Sequence, residues 1–223
     1  MPFLLLMIIV LVHELGHFLS AFFLKIPVDK ICLYPFGGIS KFKNKINIPL
    51  KKEFFILLMG PLTQLVFMVG VWKYLPLSYQ EMFFIYNKNI LIFNMLPVYP
   101  LDGGRLFNIL LSCHFSYRKS FLLSLFFSSL IVFFIFFIML KDMRLNLFLL
   151  LCLLIFRIYE EYQKRNIYQE KFLLERYLEP NDFKKQCFVE NIVDFRRDYR
   201  HVVKGKKRYY TEKEILEKKF HHS

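Results

Sequence analysis

Pro2-Phe3-Leu4-Leu5-Leu6-Met7-Ile8-Ile9-Val10-Leu11-Val12-His13-Glu14-Leu15-Gly16-His17-Phe18-Leu19-Ser20-Ala21-Phe22-Phe23-Leu24 is the stretch on which the reading turns. At about 1.5 Å per residue a helix of this length crosses a hydrocarbon layer about 30 Å thick. Its only ionisable groups are His13, Glu14 and His17. Such groups cost at least ~2.5 kcal/mol each at the centre of a membrane helix, so they are expected to serve a function. Their spacing indicates which one. Residues four apart share a helix face, so His13 and His17 can reach one metal ion together. Glu14 sits beside that face, where a carboxylate can take a proton from water at the metal. The same five residues in a soluble helix would be a weaker signal, because water could satisfy them.

Working outward, the composition fits a polytopic membrane protein. The chain has 223 residues, 56% hydrophobic and 19% aromatic, with 28 Phe. Its net charge of +13 comes mainly from the loops and tail, and the apolar segments hold very few charges. Lys25, Lys30, Lys41, Lys43, Lys45, Lys51 and Lys52 follow the first apolar run, and 17 Lys or Arg follow Phe156. Basic residues beside apolar segments follow the positive-inside pattern, and no nucleic-acid-binding motif accompanies them, so no nucleic-acid partner is expected. Cys32, Cys113, Cys152 and Cys187 are scattered and form neither a disulfide framework nor a thiolate metal site. The first basic residue comes after the apolar run, which argues against a cleaved signal and for a helix running from outside to inside.

Hydropathy patterning predicts an all-α polytopic membrane protein with about five transmembrane segments. They span roughly 2–24, 54–75, 82–96 (continuing as a broken helix to 111), 121–140 and 145–159. The stretch Leu33-Tyr34-Pro35-Phe36-Gly37-Gly38-Ile39 alternates around a glycine pair, as expected of a re-entrant hairpin at the membrane face. Two domains are expected: residues 1–160 in the membrane, and a small cytosolic α+β appendage over 161–223. Within the appendage, Glu170–Leu178 reads as helix, Val202–Tyr210 as a strand pair turning at Gly205, and Thr211-Glu212-Lys213-Glu214 as a helix start.

A hydrolytic metal centre takes three protein ligands and leaves one position open. Asn94-Met95-Leu96-Pro97-Val98-Tyr99-Pro100-Leu101-Asp102-Gly103-Gly104 interrupts the third segment and delivers the only aspartate in any membrane segment. Broken helices at membrane depth are tolerated where they line a cavity, and the two glycines would let the backbone come close to the metal.

Together, His13-Glu14-Leu15-Gly16-His17 and Asn94…Pro97…Asp102-Gly103 resemble the site-2 protease family of intramembrane zinc metalloproteases, and in particular its sporulation branch. Leu33–Gly38, Gly60-Pro61-Leu62-Thr63-Gln64 and Phe172-Leu173-Leu174-Glu175-Arg176-Tyr177 carry the likeness further along the chain. The resemblance implies one Zn2+ held by His13, His17 and Asp102, with Glu14 as general base. It implies substrate contacts at Asn94 and Pro97 and at Phe36, Gly37 and Gly38. It also implies an integral multi-pass membrane protein whose active site opens to the cytoplasmic (mother-cell) side. The substrate would be a membrane-associated precursor such as a pro-sigma-K-like factor, and inhibitory membrane partners would hold the enzyme in check. Two implied features are not matched: a further membrane helix ahead of the HExxH helix, since Met1 precedes His13 by twelve residues, and a full CBS domain, since the tail resembles only part of one. The alternatives are a site-2 protease acting on an anti-sigma factor or signal peptide, a metal transporter, and an inactive scaffold. Glu14 in the hydrolytic register disfavours the last two.

Overall fold

The computed structural model describes residues 2–26, 28–34, 37–42, 46–140, 145–180, 183, 185–205 and 208–221. Helices dominate: α1 (Pro2–Phe23), α2 (Leu50–Trp72), α3 (Leu77–Met95), α4 (Asp102–Ser112), α5 (Tyr117–Met139), α6 (Leu145–Gln163), α7 (Arg165–Leu178) and α8 (Glu212–His221). The strands are β1 (Val28–Tyr34), β2 (Gly37–Phe42), β3 (Gln186–Val189), β4 (Arg200–Lys204) and β5 (Tyr209–Thr211). Three helices, α1, α2 and α5, are long and apolar enough to cross a membrane. The other two expected segments correspond to α3 and α6, whose apolar runs are interrupted by polar and charged residues (Glu81 and Lys88; Arg157, Glu160 and Glu161). Helix α3 starts about five residues before the expected Met82, directly after Pro76, whose fixed φ of −55° suits a helix entry. Residues 141–144, between α5 and α6, lie outside the described residues.

The polarity of α1 is the reverse of a soluble helix. Leu4, Leu11, Leu15, Leu19 and Phe22 are exposed, while His13, Glu14, His17 and Ser20 are buried. That arrangement suits lipid outside and a protein-lined polar interior.

The chain forms two compact units. One contains residues 1–45, 51–96 and 101–103, the other 46–50, 97–100 and 104–223. In the first unit, β1 and β2 pair antiparallel, with Leu33 opposite Gly38 and Tyr34 opposite Gly37, so the glycine pair opens the second strand of a hairpin. The hairpin packs along α1, which also contacts α3.

In the second unit, α5 carries Ser120, Ser124 and Ser128 at four-residue spacing, all fully buried. Ser120 Oγ accepts from Ser112 Oγ at 2.9 Å, Ser124 Oγ accepts from Asn108 Nδ2 at 3.2 Å, and Ser128 Oγ accepts the Tyr99 N–H at 2.8 Å. The face is small and polar, so α4 and the 97–100 link can lie close against it. Below it a soluble-type core joins Tyr117, Phe172, Leu173, Val189, Phe195, Val203 and Leu216, with Tyr117 and Phe172 stacked at 4.4 Å. β3 pairs parallel to β4 and β4 antiparallel to β5, with Val203 opposite Tyr210. Residues 206 and 207 of that turn lie outside the described residues. Segment 46–50 is tied to this core by side chains far along the chain. Glu175 accepts the N–H groups of Ile46 and Asn47 at 2.8 Å, and Asp198 accepts the Leu50 N–H at 3.1 Å, capping the first turn of α2.

Candidate metal centre

His13 and His17 fall on the buried face of α1 by helical periodicity, 2% and 5% exposed. Their Nε2 atoms are 3.2 Å apart. Asp102, the first residue of α4, brings Oδ2 to 2.9 Å from His13 Nε2 and 3.1 Å from His17 Nε2. All three residues belong to the first unit, and theirs is the cluster of three metal-ligating side chains found among the described residues. The break between α3 and α4 sets this position: α3 ends at Met95, and the link of Leu96 to Leu101 returns the chain so that α4 begins with its carboxylate at the histidines.

Hydrogen bonding behind the rings shows where their protons lie. His17 Nδ1 is 2.8 Å from the Ile56 carbonyl, which can only accept, so Nδ1 carries the proton and Nε2 presents a lone pair. His13 Nδ1 is 3.0 Å from Gln64 Oε1, and Gln64 Nε2 donates to the Asn87 carbonyl at 3.0 Å. That second bond fixes the amide orientation, so His13 Nδ1–H is the donor and Nε2 again presents a lone pair. Two imidazole lone pairs and a carboxylate oxygen therefore face one another within 2.9–3.2 Å. Acceptors so placed repel unless a cation lies among them. The donor set therefore fits a metal ion.

Space for the rings comes from α2. A Cβ on Gly60 would overlap the His17 ring, so only glycine allows α2 to approach that imidazole. A Cβ on Gly103 would overlap the Met95 and Leu96 carbonyls, so the missing side chain lets the start of α4 return closely onto the end of α3.

Glu14 is buried, 8% exposed, beside the ligand face. Asn94 lies in the last turn of α3, half-buried, and Pro97 is exposed in the α3–α4 link. Gly37 and Gly38 pair with β1 in the hairpin, and Phe36 lies outside the described residues. Sequence reasoning missed Gln64 and the Ile56 carbonyl. The signal for Gln64 was available: an amide beside Thr63 in the middle of an otherwise apolar helix.

The chain is similar to known proteins in both sequence and structure. Residues 1–77 match the family model described as Peptidase family M50. With three helices long and apolar enough to cross a membrane, the chain is an integral membrane protein that is similar over residues 1–77 to Peptidase family M50. Among its relatives is Stage IV sporulation protein FB of Bacillus subtilis, 35% identical over 185 residues, covering 79% of this chain and 64% of that protein. A zinc metalloprotease of Methanocaldococcus jannaschii is 32% identical over 128 residues, covering 53% of this chain and 36% of that one. The solved structure of the site-2 protease from Methanocaldococcus jannaschii superposes with a TM-score of 0.59 at 26% identity, covering 71% of this chain and 76% of that one. The chain thus spans less than two thirds of the length of these two curated relatives.

Proposed function

We propose that this chain is a zinc-dependent intramembrane endopeptidase whose single Zn2+ is held by His13, His17 and Asp102. The observation that carries the reading is the convergence of three lone-pair donors, two imidazole and one carboxylate, with Glu14 buried beside them. Their 2.9–3.2 Å separations lie near the ~3.3 Å edge of a tetrahedron with bonds of ~2.0–2.1 Å. The relatives named as zinc metalloproteases and as a site-2 protease support the choice of metal. Bound zinc supplies Lewis acidity, bringing water ionisation toward pH ~7 and polarising a carbonyl.

The chain's own residues do the rest. Glu14 accepts the proton of the attacking water and returns it to the departing amine nitrogen, so that the C–N bond breaks without expelling an amide anion. Burial of the ligand face limits bulk water around the reacting carbonyl. A substrate helix hides its carbonyls in its own hydrogen bonds and must be extended first. The outer edge of β2, with Gly37 and Gly38 at its start and Phe36 just before, offers backbone pairing for an extended segment, and Asn94 offers a side-chain amide near Pro97.

The substrate is a membrane-associated precursor, and the likeness to Stage IV sporulation protein FB favours a pro-sigma-K-like factor and inhibitory membrane partners. α3 and α6 complete five spans with α1, α2 and α5. The lysine-rich 25–53 connection then places the hairpin and the opening of the site on the cytoplasmic side. Co-expression with a tagged precursor tests the mechanism: Glu14→Gln keeps zinc and loses cleavage by ~10²–10⁴-fold, the usual contribution of a general base. Cleavage at the parent rate by this variant would end the proposal.

A further inference from the structure

We infer that Gln64 is a positioning residue that orients His13 and fixes the tautomer with which it faces the metal, an inference that rests on the metal site proposed above. Gln64 is 1% exposed in the middle of α2. A buried amide in apolar surroundings costs several kcal/mol unless both ends are bonded. Here both are: Oε1 accepts the His13 Nδ1–H at 3.0 Å, and Nε2 donates to the Asn87 carbonyl at 3.0 Å. The second bond gives the first its meaning. It forbids the flipped amide, which would set an NH2 against Nδ1 and draw the ring proton to Nε2, the atom 2.9 Å from Asp102. α3 thereby controls, through α2, which nitrogen of an α1 histidine is free to bind metal.

The two histidines differ in a way that makes this testable. His17 is oriented by a main-chain carbonyl, that of Ile56, which no side-chain substitution removes. His13 depends on one side chain. A group that holds a ligating imidazole from behind is generally worth ~10–100-fold in metal affinity. A role in packing alone would be met equally by methionine, which has similar length and no strong acceptor.

The experiment measures Zn2+ affinity of the detergent-solubilised full chain by competition with a chromophoric chelator, for the parent, Gln64→Met, Gln64→Glu and His13→Ala. Unfolding temperatures are taken without metal. The Gln64→Met variant should bind zinc ~10–100-fold more weakly, with its metal-free unfolding temperature unchanged. Gln64→Glu, which keeps an acceptor against Nδ1–H, should restore affinity to within a few fold. With Co2+ in place of Zn2+, the visible absorption of Gln64→Met should change in shape, reporting altered ligation rather than lost protein. Parental affinity in Gln64→Met overturns the inference. So does an equal loss in Gln64→Glu accompanied by a lowered metal-free unfolding temperature, which would assign Gln64 to packing. If the parent binds zinc no better than His13→Ala, the metal site itself fails, an outcome distinct from either.

Discussion

Among the described residues two histidine–carboxylate clusters lie largely out of solvent, and they solve the same electrostatic problem in opposite ways. In the first unit His13, His17 and Asp102 aim lone pairs at one point, and among the described residues no Lys or Arg is hydrogen-bonded to the three. In the second, the His201 Nδ1–H donates to Glu212 at 3.1 Å, and the Arg176 guanidinium is bonded to both Glu212 oxygens and to the Tyr199 carbonyl. His201 Nε2 accepts the Arg196 N–H at 2.8 Å, and its ring stacks on Phe195 at 4.2 Å. The second cluster carries its own cation and uses both ring nitrogens internally. It is closed, and ties α7, β4 and α8 together. The first, on the function proposed above, takes its cation from outside. A histidine near a carboxylate is therefore a poor marker of chemistry by itself; what distinguishes the two is whether the positive charge comes from the chain.

The sharpest way to break this contrast is to remove one carboxylate from each cluster. Asp102→Ala should abolish cleavage and most zinc binding, because two imidazoles hold the metal poorly. Glu212→Ala should leave zinc content at the parent level. Metal analysis of both purified variants decides, and zinc retained in Asp102→Ala would reduce that residue to a helix-starting acid. A smaller effect concerns stability. Arg176→Met leaves the half-buried Glu212 without its cation, which should cost less than the ~3–5 kcal/mol typical of a fully buried charge. Hydrogen exchange over residues 165–221 should rise in that variant while α1 keeps its protection; unchanged exchange would show that the guanidinium contributes little.

The mildest perturbation is pH. Burial holds His201 below the ordinary imidazole value of ~6.5, despite the opposing Glu212 carboxylate. Burial would raise Glu212, but hydrogen bonds from His201 and Arg176 overcome it and hold the acid at about 2. Both groups are depressed in the folded state, so the unfolded chain takes up protons first as pH falls. The second unit should lose stability gradually below about pH 6.5 as the unfolded imidazole protonates, and further from about 4.5 toward 2 as the carboxylate does. A scan of residue 165–221 protection between pH 8 and 4 checks the sign, and constant protection across it would remove His201 from the account.

The folded chain also shows which regularities were readable in advance. The HExxH face of α1 follows from a 3.6-residue period, and the break before Asp102 follows from Pro97 and Pro100. Helix α8 begins after Thr211, whose Oγ1 accepts the Glu214 N–H at 3.4 Å, as the Thr211–Glu214 pattern implied. Glu175 and Arg176, quoted above only for their likeness to a family, turn out to hold segment 46–50 and the closed cluster.

By itself, then, the sequence determined the elements whose causes are local: apolar runs long enough for a membrane, two histidines one helical turn apart, and prolines that stop α3. Tertiary structure alone decided that Gln64, fifty-one residues from His13, and the Ile56 carbonyl, thirty-nine residues from His17, stand behind the rings and turn both Nε2 atoms inward. It also decided that Gly103 allows a close helix return, and that Arg176 closes one cluster while the other gathers only lone-pair donors. The reason is physical. A helix period is fixed by backbone geometry within a few residues, whereas the partner of a buried polar group is chosen by which distant helix packs against it.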